Sequence, residues 1–585
     1  MAPSFRSVPF LFLAACAGDP WDSLDARYTE VEVQAGMANR DTSRQIHNKE
    51  ARKRKIKAES ARVALFQDPA VQTLIADARA GGGDVKHDPV RAKAELYWQR
   101  SLTARSWRTD EKAEETRLVA ALEEVAANEA TWFSPDGAVK VGLSQSWDDA
   151  SREVDTLDDE SRAGLAESWV EHQIRPLGSD LVALVELRNT VAQREGFANY
   201  WELSLAAQGL TPTGVDAIIA ELSEVIRPIL ATNQQRIAVT AQSLGVADSF
   251  ANRPLLRRRS GLDAGRDEAE VYTDADGAEE IVRTAFADLG IDSSGWQVFT
   301  GPRRYFRAGV NGFVIRPPDH VAIVMSQDER WSFWPYEALA HEAGHAVWWQ
   351  GVGPDAVKSP VYWQPPDPWF EGFAQFFERM AFERAFLERY LPNLPAAERE
   401  GLSAWRARRV AEAIADSIIS VQVERKLYSN PKDLVALTRE AAASRSALTG
   451  EPLGPTASNG LSWESSLLSG LLWSYPAFDQ NYLYAYLTEA WMYEAVTAAV
   501  GDPVGNPKVG PLLQEKLIRA DNLVPFPDRL FAIGQVDRDA ALTRYLASGP
   551  LPPLEVSPPP PEAAEAAAAG VPKAGASGLG TPTSP

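Results

Sequence analysis

The chain has 585 residues and a formal net charge of −21 at pH 7, with 59 Lys and Arg against 80 Asp and Glu. Nucleic-acid-binding domains carry a basic surface, so this acidic balance argues against nucleic acid as a partner. The contents of 45% hydrophobic and 24% charged residues are those of a globular protein, and a chain of this length can bury a large core and form two lobes.

The N-terminus predicts a lipoprotein signal. Residues 1–15 contain Arg6 and a short apolar stretch, and Leu13-Ala14-Ala15 directly precedes Cys16, the single cysteine of the chain. This order is that of a secretory signal, and it resembles the bacterial lipobox, in which the cysteine becomes the lipidated N-terminus. The alternative is an apolar leader with an incidental cysteine.

A lipidated Cys16 predicts a location in the bacterial cell envelope, with a lipid anchor in a membrane. Because Ala17 rather than an aspartate follows the cysteine, we expect the outer membrane, with the protein facing the periplasm. Residues 16–45 are polar and predict a tether, and residues 46–547 predict one folded domain. The segment 548–585 is rich in Pro, Ala, Gly and Ser, which predicts disorder.

Most of the folded domain has a helical pattern. From about residue 50 to 245 apolar residues recur at helical spacing, and Thr211-Pro212 predicts the start of a long helix. Residues 252–274 are charged and contain several glycines, which predicts a surface loop. Helical patterns resume at 405–428 and 482–500.

Between these helical regions the sequence predicts short strands at 305–309, 312–315 and 320–325. The strands directly precede a predicted helix that starts near Pro335 and ends near Gly351. A second predicted helix begins at Asp367-Pro368, where an N-cap residue is followed by a first-turn proline.

The first of these two helices carries the motif His341-Glu342-Ala343-Gly344-His345. Histidines four residues apart lie on one face of a helix, so both imidazoles can bind one metal ion. Glu342 is then the candidate general base, and Glu371 on the second helix can supply the third ligand. Three protein ligands with one open position are typical of a catalytic Zn²⁺ site.

Glu371, Gln375 and Glu378 share one face of the second helix. Gln375 and Glu378 are therefore candidates for supporting the metal ligands from behind. We expect Glu378 to accept a hydrogen bond from the free N–H of a ligating histidine, which would fix the orientation of the ring. The alternative for Glu378 is an exposed glutamate on the helix surface.

The two motifs, H-E-x-G-H and E-x-x-x-Q-x-x-E, resemble those of the gluzincin peptidases, in particular the thimet-oligopeptidase and angiotensin-converting-enzyme families. The segments 184–201 and 475–484 resemble two further blocks of these families. The resemblance implies a mainly α, two-lobed helical metallopeptidase with a small β-sheet beside the zinc-binding helix. It also implies a Zn²⁺ cofactor, peptide substrates and a substrate-contacting tyrosine, for which Tyr482 is the candidate.

The sequence departs from these families in two respects. The families carry a histidine near the tyrosine segment, whereas this chain has no histidine after His345, so Gln480 or a further tyrosine would have to replace it. The other tyrosines of the segment are Tyr475, Tyr484 and Tyr486. No Lys or Arg lies between residues 446 and 507, where converting-enzyme relatives place a cation for the substrate carboxylate. This favours a broader oligopeptidase mode over a dipeptidyl carboxypeptidase mode.

The sequence therefore predicts a lipid-anchored, zinc-dependent peptidase that hydrolyses short peptides. The alternative from another class is a catalytically silent, peptide-binding envelope lipoprotein that retains the fold, which the missing histidine supports. The intact set of His341, Glu342, His345 and Glu371 favours the enzyme. A structural-zinc envelope protein is less favoured, because only three ligands converge.

Overall fold

The computed structural model describes residues 19–549, apart from sixteen stretches within that range. The stretches left out are 46–47, 82–87, 128–129, 135–136, 142–158, 174–177, 267–276, 303–309, 317–319, 328–333, 353–366, 455, 457–459, 463–472, 474 and 520–523. Cys16 and the predicted disordered segment from residue 550 onward therefore lie outside the described residues.

The chain is mainly α-helical, which confirms the predicted fold class. Before the sheet, the described helices are α1 (Pro20–Arg44), α2 (Lys49–Gln67), α3 (Pro69–Ala80), α4 (Pro89–Arg105), α5 (Thr109–Ala127), α6 (Asp159–Gln173), α7 (Ser179–Arg194), α8 (Tyr200–Ala207), α9 (Pro212–Leu244), α10 (Arg253–Arg259) and α11 (Ala278–Asp288). Helix α9 begins with Thr211 as its N-cap and Pro212 in its first turn, as predicted.

A second series of helices follows the sheet. These are α12 (Trp334–Gly351), α13 (Asp367–Phe382), α14 (Arg384–Tyr390), α15 (Ala396–Ser429), α16 (Leu434–Thr449), α17 (Gln480–Val500), α18 (Val509–Leu513), α19 (Phe526–Phe531) and α20 (Arg538–Ala547), with a π-helical turn at Gln514–Ile518. In the described part of the chain, none of the helices has both the length and the apolar character needed to span a bilayer.

A small sheet precedes α12, as the sequence predicts. Its strands β3 (Trp296–Pro302), β4 (Val310–Arg316) and β5 (His320–Gln327) lie in the order β3-β5-β4. Strand β5 pairs in parallel with β3 and antiparallel with β4. The predicted strand 305–309 lies outside the described residues. A separate hairpin of β1 (Ala130–Ser134) and β2 (Gly137–Val141) was not predicted.

The described residues form two large hydrophobic cores. The first core includes Trp201 and Tyr428, and its residues come from helices that precede the sheet in the sequence and from helices that follow it. The second packs the sheet against α12 and α13, around Trp348 and Phe377. Helix α17 contributes to both, with Leu483 in the first core and buried residues such as Met492 in the second. This helix therefore connects the two cores.

Residues 20–44, predicted as part of a polar tether, instead form helix α1. The Asp19 side chain accepts a hydrogen bond from the Trp21 amide at 3.0 Å and caps the helix. Trp21, Leu24 and Tyr28 are buried in a third core, where the Tyr28 ring meets Tyr97 edge-on at 5.4 Å. Their spacing of three and four residues is the helical signal that the polar composition obscured.

Residues 252–274 were predicted as a surface loop, and the structure describes this segment up to residue 266. The described part contains helix α10. Leu256 of this helix is fully buried. Arg257 pairs with Asp263 at 2.8 Å and also contacts Glu412 of α15. The charges in this segment therefore form ion pairs between elements, which is why the loop prediction was wrong.

The segment 184–201, which carries one of the family-like blocks, joins distant helices through buried polar groups. The Arg188 guanidinium donates to Glu115 at 2.9 Å, to the Tyr428 hydroxyl at 3.1 Å and to the Trp473 carbonyl at 2.6 Å. Asn189 donates to the Tyr428 carbonyl at 2.7 Å. The block therefore stabilises the first core and fixes α7 against α15.

Candidate active site

Helices α12 and α13 bring the three predicted metal ligands together. His341 and His345 lie one turn apart on α12, with ring centroids 5.0 Å apart and ring planes at 85°. Oε2 of Glu371, on α13, lies 3.3 Å from Nε2 of His341 and 3.7 Å from Nε2 of His345. One donor atom from each of the three residues lies within 4.8 Å of the other two.

Two glycines allow the helices to approach closely enough for this arrangement. A Cβ on Gly344 would lie 2.7 Å from the Ala374 Cα, at the crossing of α12 and α13. A Cβ on Gly372 would lie 2.3 Å from Cβ of Thr488, at the crossing of α13 and α17. Both distances are too short for any side chain. The glycines inside the two motifs therefore have a steric role in bringing Glu371 to the histidines.

The structure places Glu378 behind His341. Oε2 of Glu378 lies 2.9 Å from Nδ1 of His341, so the ring N–H can donate to this carboxylate while Nε2 faces Glu371. Glu378 is half-buried between the helices, with 15% of its side chain exposed, and is not the exposed surface glutamate of the alternative interpretation. Its place is the one expected for a carboxylate that orients a metal-ligating histidine.

Two further residues, which the sequence did not predict, extend the contacts behind Glu378. Arg406 of α15 donates from Nη2 to Oε1 of Glu378 at 2.8 Å. The same nitrogen lies 3.6 Å from Oε2 of Glu489 on α17. Arg406 and Glu489 are both buried in the described structure. The available signal was weak: each is a charged residue within an otherwise apolar helical pattern, where a buried partner is required.

Carboxyl groups dominate the electrostatics of this region. Burial raises the pKa of Glu489 to about 7, although Arg406 opposes the shift. Burial, with the nearby charge of Glu378, likewise raises the pKa of Glu337, in the first turn of α12, to about 7. Protonation near neutral pH would therefore limit how much negative charge collects behind His341.

The ligand side chains show the effect of their mutual contacts. Burial would raise the pKa of Glu371, but His345 and His341 outweigh it and hold that pKa far below the usual range. Burial would lower the pKa of His341, but the contacts with Glu371 and Glu378 raise it well above the usual value. The site therefore attracts positive charge, which in this position a metal ion can supply.

Glu342 and Gln375 are both buried next to the ligands in sequence. Glu342 follows His341 on α12, as the motif requires for a general base. Oε1 of Gln375 accepts no hydrogen bond within the described part of the chain. The supporting role predicted for Gln375 therefore stays a prediction.

Tyr482 lies in the first turn of α17, and among the tyrosines of its segment it is the one whose pKa is affected by the charge of a candidate metal ligand. Burial raises the pKa of Tyr482 well above its usual value, and the charges of Glu371 and Glu342 add to this shift. The hydroxyl is thus kept protonated and able to donate. The Phe478 ring contacts Tyr482 edge-on, with centroids 5.8 Å apart.

The remaining tyrosines of the segment have other surroundings. Tyr475 is 40% exposed. Tyr484 packs edge-on against Trp369 with ring centroids 5.1 Å apart. Tyr486 is buried, and its pKa is raised by burial, with the charge of Glu378 adding to the shift. Of the four, Tyr482 therefore fits best as a donor toward the candidate metal site.

The donor set fits Zn²⁺. Two imidazole nitrogens and one carboxylate oxygen are the ligands of one class of catalytic zinc site, which keeps a fourth position open. The Phe370 ring lies 4.2 Å from that of His345, and the Trp349 ring contacts Phe370 edge-on. These aromatic groups cover one side of His345 and lower the local polarity around the ligands.

Comparison with known proteins supports the fold rather than a family. The chain matches no protein-family model, and no curated protein matches it. A solved carboxypeptidase from Deinococcus radiodurans shares 14% identity at a TM-score of 0.58, covering 90% of this chain and 97% of that chain. PZ peptidase A, solved with an inhibitor, gives 14% identity and a TM-score of 0.61 over 90% of this chain and 92% of that chain. A Pyrococcus furiosus carboxypeptidase gives 14% identity and a TM-score of 0.58 over 91% of this chain and 99% of that chain. Over most of its length the chain thus has the fold of these solved peptidases.

Proposed function

We propose that the protein is a zinc-dependent peptidase that hydrolyses peptide bonds of short peptides. The observation that carries this proposal is the convergence of His341, His345 and Glu371 donor atoms within 4.8 Å, with Glu342 on the same helix as the histidines. The likeness to solved peptidases, which extends over about nine-tenths of the chain, supports it.

The residues of the chain have defined parts in this reaction. When bound, Zn²⁺ polarises a peptide carbonyl and makes water more acidic. Glu342 takes the proton from the attacking water and passes it to the departing amine, a contribution of roughly 10²–10⁴ in rate. Tyr482 donates its hydroxyl hydrogen to the carbonyl oxygen as negative charge develops there. Glu378, with Arg406 behind it, holds His341 in one orientation and one tautomer.

Fold likeness and charge support the proposed substrate class. The similar solved structures include carboxypeptidases and a structure described as oligoendopeptidase F. Arg406, the buried cation behind the site, contacts Glu378 and Glu489 and is thus engaged by protein carboxylates. Together with the lack of Lys and Arg between residues 446 and 507, this supports an oligopeptidase that does not depend on the substrate C-terminus.

The alternative is a catalytically silent protein that binds peptides and retains the fold. It is favoured by the absence of any histidine after His345, because the tyrosine segment then lacks the donor of the resembling families. The retention of Glu342 weighs against it, because binding alone does not require a general base.

Both interpretations are tested by removing and restoring the metal. Purified protein should cleave a mixed library of short peptides, lose activity with a zinc chelator and regain it on addition of Zn²⁺. Mass spectrometry of the products identifies the cleaved bonds. A His341→Ala variant is the control, which zinc should not restore. Zinc-loaded protein that binds library peptides but leaves them uncut would favour the silent alternative.

We further propose that the protein is anchored in a bacterial membrane through lipid on Cys16. Pro20, the first residue of α1, lies four positions after Cys16, a distance that an extended chain spans with at most about 14 Å. Helix α1 would then lie close to the bilayer. Fractionation tests this proposal: Cys16→Ser should move the protein from the membrane pellet to the soluble fraction, and an unchanged distribution and mature mass would contradict it.

A further inference from the structure

A backbone strain lies just before Tyr482. Ala477 has a φ of 53°, and in the described part of the chain no other non-glycine residue has a positive φ. This conformation is unfavourable for alanine, and such residues persist only where their surroundings hold them. Ala477 is fully buried in the first core and precedes Tyr482 by five residues. The turn that contains it, residues 475–479, leads directly into α17.

Side chains from α15, from the residue that follows α8 and from the first residue of α17 hold both polar groups of Ala477. The Glu424 carboxyl, from α15, accepts a hydrogen bond from the Ala477 amide at 2.7 Å. Nε2 of Gln208, which follows α8, donates to the Ala477 carbonyl at 2.6 Å. Gln480 donates to the same carbonyl and, at 3.0 Å, to Oε1 of Gln208. The Glu424 and Gln208 contacts join the turn to elements distant in sequence, and the Gln480 contact is local, so tertiary contacts contribute to holding the turn.

Asp479, at the end of the turn, is held from the same helix that carries Glu424. Ser420 of α15 donates to the Asp479 carboxylate, and the Asp479 carbonyl accepts from the Tyr482 amide at 3.1 Å. Ser420 and Glu424 lie one helical turn apart on α15. One face of α15 thus contacts the turn at two points, two residues apart.

The charge state of Glu424 suits this arrangement. Burial and the neighbouring charge of Asp479 raise the pKa of Glu424 to about 8, with smaller opposing effects from the Ala477 amide hydrogen bond and from Arg188. Glu424 is 3% exposed. At neutral pH the group is therefore largely an uncharged carboxylic acid, which retains an oxygen for the Ala477 amide. Glutamine is close to an isosteric replacement for that form.

We propose that Glu424 is a positioning residue for the reaction: by holding the strained Ala477 turn from α15, it sets where the first turn of α17 places the Tyr482 hydroxyl. The predicted effect on kcat rests on the proposed function, whereas the predicted effect on the Ala477 turn does not. Glu424 contacts neither the candidate metal ligands nor Tyr482 in the described structure, so it would act through the Ala477 amide alone.

The test compares Glu424→Leu with Glu424→Gln in the full-length protein. Leucine removes the acceptor for the Ala477 amide at similar volume, whereas glutamine keeps it. Hydrogen–deuterium exchange of a peptide covering residues 475–482 should rise at least tenfold in Glu424→Leu and stay near wild type in Glu424→Gln. Glu412→Ala is the matched control, because this acid lies on the same helix but pairs with Arg257 and Arg409.

Kinetics and metal analysis are measured on the same samples. Glu424→Leu should lower kcat toward the loss of about 10²–10³ seen when an oxyanion donor is removed, with zinc content and KM unchanged. Glu424→Gln should restore kcat. If Glu424→Leu does not fold, Gln208→Leu is the second variant: it removes the donor to the Ala477 carbonyl and should produce the same rise in exchange and the same fall in kcat.

The outcomes separate this inference from the proposed function. Exchange of residues 475–482 that is unchanged in both leucine variants would overturn the inference, even in an active enzyme. A raised exchange with kcat unchanged would also overturn it, because the turn would then not position Tyr482. A wild-type protein that lacks peptidase activity while exchange rises as expected would instead defeat the proposed function.

Discussion

Arg406 donates a hydrogen bond of 2.8 Å from Nη2 to Oε1 of Glu378, and the other oxygen of that carboxylate contacts Nδ1 of His341 at 2.9 Å. Both oxygens of Glu378 are thus engaged, one by a buried cation and one by a candidate metal ligand. A carboxylate held in this way cannot rotate without breaking a charge-assisted hydrogen bond. The orientation of His341 therefore depends on residues of α13 and α15 as well as on its own helix.

Replacement of Glu378 should weaken metal binding. Glu378→Ala leaves Nδ1 of His341 without its acceptor, so we expect zinc affinity to fall by roughly 10–100-fold. The measurement is competition with a zinc chelator of known affinity. Glu383→Ala is the control, because Glu383 lies just beyond α13 and pairs with Arg379 instead. Equal zinc affinity in Glu378→Ala and wild type would show that Glu378 does not support the ligand.

Replacement of Arg406 should reduce stability first. Arg406→Met would leave Glu378 and Glu489 as buried acids without their cation, and breaking a buried ion pair in this way costs about 3–5 kcal/mol. Arg406→Lys retains the charge and should lose less. Chemical denaturation of metal-free protein measures both. Stability of Arg406→Met within experimental error of wild type would mean that the buried pair is not formed.

The steric role of Gly344 predicts a large effect from one methyl group. Because a Cβ there would lie 2.7 Å from the Ala374 Cα, Gly344→Ala must move α12 away from α13 and separate the histidines from Glu371. We expect loss of stoichiometric zinc, measured by elemental analysis. Gly164→Ala on α6, where nothing lies within 4 Å of the added Cβ, should keep zinc and stabilise the helix by up to about 1 kcal/mol. Full zinc occupancy in Gly344→Ala would contradict the packing argument.

The raised pKa of Glu424 predicts a pH dependence of stability. A carboxyl group whose pKa rises from 4.5 to about 8 on folding binds its proton more tightly in the folded state. Its contribution to stability is complete below pH 4.5 and is lost as pH rises through 8, where charged Glu424 would face Asp479, opposed by the Ala477 amide and Arg188 and with the Tyr428 hydroxyl nearby.

Glu424→Gln removes this titration. The variant should therefore have a lower free energy of unfolding than wild type at pH 5 and a higher one at pH 9. The measurement is the free energy of unfolding of both proteins at each pH. A difference that does not change with pH would show that Glu424 titrates normally in the folded protein.

The metal site was predictable because its signal is local. The spacing of His341 and His345 follows from the helical repeat, and Glu371 begins a second motif on a helix with its own N-cap signal. Arg406 and Glu489 were not predictable, because their contacts with Glu378 join three helices, and no periodic pattern encodes which buried charges will meet. Ala477 gave no signal, because alanine is not a residue that usually marks a positive φ.

In the two segments where the fold differs from the sequence prediction, polar composition concealed the features that stabilise a helix. In α1, Trp21, Leu24 and Tyr28 recur at helical intervals within a polar segment, and these three side chains are enough to bury one face. In α10, Arg257 pairs with Asp263 and with Glu412 of α15, although the charges and glycines of this segment predicted a surface loop. Polar composition therefore does not exclude a helix, since one apolar stripe or several ion pairs are enough to hold a polar helix against its neighbours.

Glu342 is proposed as the general base of a zinc-dependent reaction at this site, and the turnover of Glu342→Gln tests this role most directly. The substitution keeps the size of the side chain and removes its ability to accept a proton. Zinc content and peptide turnover are measured on the same preparations of variant and wild type. We predict one zinc ion per chain in both proteins and a kcat lower by about 10²–10⁴ in the variant. Undiminished turnover in the zinc-loaded variant would contradict the account.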